Sequence, residues 1–173
     1  MDIRRAPGEA GKGAGDEVTL KQFPTRLPVA LAAWHVLLFV TTTFFGKRIA
    51  TDGNPLFCVD LPASLPLVAR DDVLTMILVG TVSTGWWYLV GQIGRASWAG
   101  KMSRMMSLAG ALLLLLIQAA AWFAMISESR LISQEADFGA TDVLVYALAA
   151  ILLTGGLISA GYALASVVLP RHD

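Results

Sequence analysis

An all-α integral membrane fold, specifically a compact four-helix transmembrane bundle, is predicted by three observations on this sequence. Four long apolar stretches, at 28–45, 73–93, 105–126 and 143–169, hold about half of the 173 residues. Hydrophobic residues make up 55% of the chain and charged residues 15%, with a mean hydropathy of +0.63, which lies outside the usual soluble composition. The stretches are continuous rather than alternating. Because lipid satisfies no backbone polar groups, only helices or a closed barrel can span it, and continuous apolar runs select helices.

The elements follow in chain order. Residues 1–27 read as a mostly disordered tail, rich in Gly, Ala and charge as far as Glu17. A short approach to the membrane over 18–27 is compatible with the sequence, but Pro24 and Pro28 argue against one long helix; Pro28 suits a first helical turn, where a missing N–H matters little. The first span, 28–45, is the shortest and sits at the lower end of the roughly 20 residues needed to cross hydrocarbon. It begins too late, and is followed by too many other spans, for an ordinary secretory signal, so it is read as an insertion signal that stays attached.

The first connection, 46–72, is the largest element outside the spans. Asp52-Gly53-Asn54-Pro55 signals a turn. Leu56-Phe57-Cys58-Val59 is apolar and reads as resting on the bilayer surface or on the bundle, while Pro62 and Pro66 oppose a regular helix. Asp71 and Asp72 are placed to cap the second span, and Asp142 to cap the fourth. Short connections over 94–104 and 127–141 favour antiparallel neighbours. Gly155-Gly156 is either a break in the fourth span or a close-packing point. A short tail, 170–173, closes the chain.

Basic charge sets the orientation. Crossing four times puts Arg4, Arg5, Lys12, Lys21, Arg26, Arg95, Lys101, Arg104 and Arg171 on one side, against Lys47, Arg48, Arg70 and Arg130 on the other. The positive-inside rule then places both termini in the cytoplasm. Lys47 and Arg48 vote the other way but are outnumbered. Zero formal net charge gives no reason to expect nucleic acid as a partner.

Polar residues within the spans are few. His35 reads as an interhelical hydrogen-bonding or interfacial residue, one and a half to two turns inside the first span, rather than a proton or metal site. The only other histidine is His172 in the tail, and Cys58 falls on the opposite side in this topology. Gln118 is the most central strongly polar group of the third span and is assigned to packing or oligomer specificity. Thr41, Thr42, Thr43, Ser83 and Thr84 are expected to return their hydroxyls to the preceding turn. No Asp, Glu, Lys or Arg falls within a span, which argues against a pump or charge-selective channel. With no His/Cys cluster, paired carboxylates or catalytic triad in the pattern, neither an enzyme nor a cofactor is predicted.

Small residues four apart, Gly156 with Ala160 and Gly161 with Ala165, are predicted helix-packing positions. Trp34, Trp86, Trp87, Tyr88 and Trp122 lie towards span ends and are predicted to anchor at the headgroup level. Arg95, Lys101 and Arg104 are too few for a strong lipid-recognition patch, although they favour anionic lipid.

Leu31-Ala32-Ala33-Trp34-His35-Val36 opens the first span; Cys58 and Leu61-Pro62 follow, then the Asp71-Asp72 entrance to the second. In these residues, and in a four-span plan over 26–171, the chain resembles the small four-span membrane proteins of the ciliary transition zone, the transmembrane protein 107-like family. The resemblance implies a non-enzymatic scaffold or assembly subunit that joins other transmembrane and peripheral proteins at the ciliary gate. It further implies roles in ciliogenesis and in controlling ciliary membrane composition. It transfers no catalytic residue. The competing expectations are an accessory subunit of a respiratory or other organellar membrane complex, and a small transporter or channel with Gln118 and His35 lining its path. Membrane lipids are partners under every reading.

Overall fold

The apolar stretches form four α-helices in a computed structural model that describes residues 13–45, 59–60, 73–132 and 139–169. They are α1 (Gly13–Phe45), α2 (Val73–Trp98), α3 (Arg104–Ile132) and α4 (Ala140–Val168). Three contain segments long and apolar enough to cross a membrane: Thr25–Phe44 of α1, Arg104–Arg130 of α3 and Ala140–Val168 of α4. At 26 residues α2 is about 39 Å long and so has the length to span. Gly85, Trp86, Trp87, Tyr88 and Gln92 dilute its apolar character, and it is not among the three.

The first helix departs from the sequence expectation. It starts at Gly13 and continues through Pro24 and Pro28. Proline at 28 removes the hydrogen bond that would reach the carbonyl of residue 24, but one missing bond does not end a helix whose flank is covered by a neighbour. That neighbour is α2. A Cβ added to Gly91 would lie 2.5 Å from the Pro28 Cα and 2.7 Å from its nitrogen, so only glycine admits this approach.

The α1–α2 seam is antiparallel and in step along its length. Pro28 meets Gly91, His35 meets Thr84, and Phe39 lies over Gly80. On the other side of α1, Leu31 packs against Gly155 and the Trp34 indole donates to the Leu148 carbonyl of α4 at 3.0 Å. Helix α4 also packs along α3 and α2, with Gly94 against Ser159, whereas α2 and α3 barely touch. The arrangement is therefore not a square. Helix α4 occupies the groove beside α1 and α2, and α3 lies outboard, with Met105, Leu116 and Phe123 more than two-thirds exposed. The core lies where α4 meets its three neighbours and includes Leu38, Trp87, Leu114, Leu152 and Leu153.

The connections have identifiable local causes. Gly100 takes φ 68°, the Gly100 N–H bonds the Ser97 carbonyl, and the Lys101 N–H bonds the Ala96 carbonyl. This is a Schellman ending, and it turns the chain sharply into α3. At the start of α4 the Gly139 N–H donates to Asp142 Oδ2 at 2.9 Å. The carboxylate predicted to cap the fourth span thus acts from the third helical position, with Gly139 as the N-cap. Gly155-Gly156 does not break α4, which is continuous. The expected turn at Asp52–Pro55 and the Asp71–Asp72 cap lie outside the described residues.

Charge separates along the bundle. Arg26 near the start of the apolar part of α1, Arg95 near the end of α2, Lys101 in the following connection and Arg104 at the start of α3 share one end. Among the described side chains, the opposite end mixes Glu128 and Asp142 with Arg130.

Candidate functional site

Val59 and Asp60 form a helical turn within the first connection, and both are fully buried. Val59 enters the hydrophobic core; the sequence reading left its apolar run on the bilayer surface or on the bundle, and residues 56–58 lie outside the described residues. Asp60 has no precedent in that reading. Its Oδ1 lies 2.9 Å from His35 Nε2, and neither side chain has any solvent exposure. The other imidazole nitrogen, Nδ1, lies 2.8 Å from the Thr84 hydroxyl of α2. Thr84 in turn donates to the Gly80 carbonyl at 2.7 Å, one helical turn back.

This geometry restricts where protons sit. The Thr84 hydroxyl has a single hydrogen. When it points to Gly80, its oxygen accepts from His35 Nδ1–H, and a further proton lies between His35 Nε2 and Asp60 Oδ1. With all three contacts made, the His35–Asp60 unit carries no net charge, whichever atom of the Nε2–Oδ1 contact holds that proton. A neutral unit is the form that burial in a low-dielectric interior favours. Thus α1, α2 and the first connection are tied by one polar chain. The Phe39 ring stacks beside His35 at 6.4 Å between centroids and closes its flank.

His35 is fully buried within α1. It lies at the middle of the Thr25–Phe44 apolar segment, and its partner Thr84 is near the middle of α2. Of the two expectations for His35, an interhelical hydrogen bond or an interfacial position, the first matches this contact. No carboxylate falls within a span, but Asp60 reaches the buried interior from the first connection, which the sequence reading did not foresee. Among the described residues Asp60 Oδ2 has no hydrogen-bond partner, and neither do the buried groups Ser83 Oγ and Trp87 Nε1. Among the described residues no group of three or more His, Cys, Asp or Glu is placed to hold a metal ion.

The comparisons with known proteins add no relative. No family model, curated protein or solved structure matches this chain.

The remaining positions singled out in the sequence divide among several environments. Gln118 is buried and packs against Gly156, so this close small-residue contact of α4 joins two helices of the same chain; among the described residues Gln118 Oε1 has no partner. Ala160 is buried and Ala165 half-buried, but Gly161 is exposed, and a Cβ added there meets nothing within 4 Å. The Gly161–Ala165 spacing therefore makes no close helix crossing among the described residues. Of the predicted anchors, Trp87 is a core residue with no exposure, and Trp34 spends its N–H on α4. Trp86 and Trp122 are half-buried with unpartnered indole nitrogens, while Tyr88 is exposed and its hydroxyl accepts from Gln92 at 2.7 Å. The hydroxyls of Thr42 and Thr84 return to the preceding turn as predicted; that of Ser83 does not.

Sequence reasoning missed Asp60. A signal was present in the apolar run that ends at Val59 and meets a carboxylate, but spacing alone does not report that this turn folds inward.

Proposed function

We propose that this chain is a non-enzymatic membrane scaffold or assembly subunit that crosses the bilayer four times, with both termini in the cytoplasm and the first connection as a fixed recognition element. One observation carries the reading: the buried Asp60–His35 contact, with Val59 in the core, anchors that connection to the helices at a defined place. A recognition surface held in this way loses less conformational entropy on binding than a free loop. The close helix contacts at Gly91, Gly155 and Gly156 support the same reading, since they fill the interior with the chain's own atoms. The resemblance in the Leu31–Val36 and Asp71–Asp72 segments makes the ciliary transition zone the first membrane to test.

The test is affinity isolation of the tagged full chain from its native membrane in mild detergent, with imaging of the same tagged chain. Stoichiometric membrane or peripheral partners are expected, with recovery reduced in Asp60→Ala. Concentration at the ciliary base supports the ciliary form of the proposal, and co-migration with a respiratory or other organellar complex replaces it. Diffuse membrane staining with no stable partner overturns the scaffold reading.

A second reading rests on the same pair. An ionisable couple at mid-depth among apolar helices is the kind of group that proton-coupled transporters place on their path. Purified chain in liposomes containing a pH-sensitive dye is the measurement. Proton flux abolished by Asp60→Asn would establish that reading, and absence of flux under an imposed gradient would remove it.

A further inference from the structure

At the basic end of the bundle the last turns of α2 and α4 enclose an open-sided groove of about 350 Å³, lined by Trp98, Ile158, Gly161, Tyr162, Ala165 and Leu169. The lining is almost wholly apolar. Trp98 and Tyr162 meet edge to face at 5.2 Å between ring centroids and form the floor. Gly161 is what leaves the groove open, because a side chain at that position would enter space that is now empty. The groove therefore belongs to an outer surface rather than to a helix–helix seam.

The surroundings of the groove indicate what fills it. Trp98 is the last residue of α2, Arg95 lies one turn before it on the same helix, and the Schellman turn at Gly100 brings Lys101 and then Arg104 directly after it. Arg26 lies at the same end. No acidic residue occurs between Arg95 and Arg104. An apolar slot at the same end of the bundle as this set of cations matches a ligand with an apolar tail and an anionic head. A second copy of this chain fits poorly, since two copies in one membrane orientation would bring the same basic ends level with each other.

We propose that the groove is a binding site for an anionic glycerophospholipid, with an acyl chain against Gly161, Trp98 and Tyr162 and the phosphate headgroup among Arg95, Lys101 and Arg104. This rests on the membrane reading above but not on the scaffold function.

The experiment is native mass spectrometry of the full chain released from nanodiscs containing equal phosphatidylglycerol and phosphatidylcholine. Recovery of folded chain in the nanodiscs tests the membrane reading separately from the lipid site. One phosphatidylglycerol should be retained preferentially, by roughly fivefold for each basic side chain engaged. Gly161→Leu places its side chain in empty space on an exposed helix face, so it should fold and lose retention of both lipids. Replacing Arg95, Lys101 and Arg104 together by Gln should abolish the headgroup preference while leaving some lipid retained. Equal retention of the two lipids by the natural chain, or unaltered retention by Gly161→Leu, overturns the proposal. A dimer in place of retained lipid, dispersed by Gly161→Leu, would assign the groove to self-association and overturn it as well.

Discussion

Asp60→Ala is expected to destabilise the bundle by about 3–5 kcal/mol, the usual effect of removing one member of a buried, hydrogen-bonded pair. The loss arises on His35. Its Nε2 contact is with Asp60, and no solvent reaches the ring to replace it. His35→Ala should be at least as harmful, because it strips the His35 contact from a fully buried carboxylate whose Oδ2 has no partner among the described residues. Asp60→Asn should be much milder, since the side-chain amide N–H can donate to Nε2 of a neutral ring that keeps its Nδ1–H on Thr84; the loss should be about 1 kcal/mol. Combining His35→Ala with Asp60→Ala should cost less than the two single effects together, by up to about 3 kcal/mol, as expected for residues in direct contact. Thermal unfolding in detergent micelles measures each term, and limited proteolysis across residues 46–72 reports whether the connection has left the bundle. Single variants within about 0.5 kcal/mol of the natural chain would show that the pair does not hold the connection in place.

Gly91→Ala carries the second large effect, through one methyl group. The added Cβ would stand 2.5 Å from the Pro28 Cα and 2.7 Å from the Pro28 nitrogen, both backbone atoms that cannot rotate away. The helices must separate, and overpacking of this kind typically costs about 1–3 kcal/mol. Helix propensity opposes that loss by about 1 kcal/mol, because alanine is the better helix former. The net expectation is destabilisation. Gly161→Ala is the matched control, since its Cβ meets nothing within 4 Å and only the propensity gain remains. Opening the seam at Gly91 should also weaken the His35–Thr84 contact, two turns further along the same pair of helices. The two alanine variants compared in one unfolding assay decide the point. Equal stability would mean that α1 and α2 have room to spare at Pro28.

The two experiments probe one seam from different directions. Gly91 and Pro28 set how closely α1 approaches α2, and that approach lets one imidazole bridge Thr84 and Asp60. A small shape change at an exposed or loosely packed position would not propagate in this way. Close-packed helices transmit it because they have no void in which to absorb it.

Much of this architecture was legible in the residues. Apolar runs of sufficient length specify helices in lipid regardless of the detailed packing, because unsatisfied backbone groups there are too costly. Thr42 and Thr84 return their hydroxyls to the preceding turn, as a local rule of helix geometry requires. Asp142 likewise bonds a free N–H at the start of α4. These features depend on neighbours within four residues, a range over which sequence and structure are nearly equivalent.

The tertiary structure decided the rest, because the deciding distances join residues far apart in the chain. Tryptophan suits both an interface and a core; tertiary packing put Trp87 in the core, and an available carbonyl on α4 took the N–H of Trp34. Two glycines five positions apart in α4 have opposite roles, since Gly156 receives Gln118 and Gly161 faces open space. Helix continuity through Pro24 and Pro28 accompanies an α2 backbone close enough to cover α1 at Pro28. The sequence by itself determined that this chain has helices built for lipid. Only the fold brought a carboxylate from the first connection to a histidine at mid-span, because a buried charge is admitted where its partner already waits, and that meeting is set by three-dimensional packing rather than by spacing along the chain.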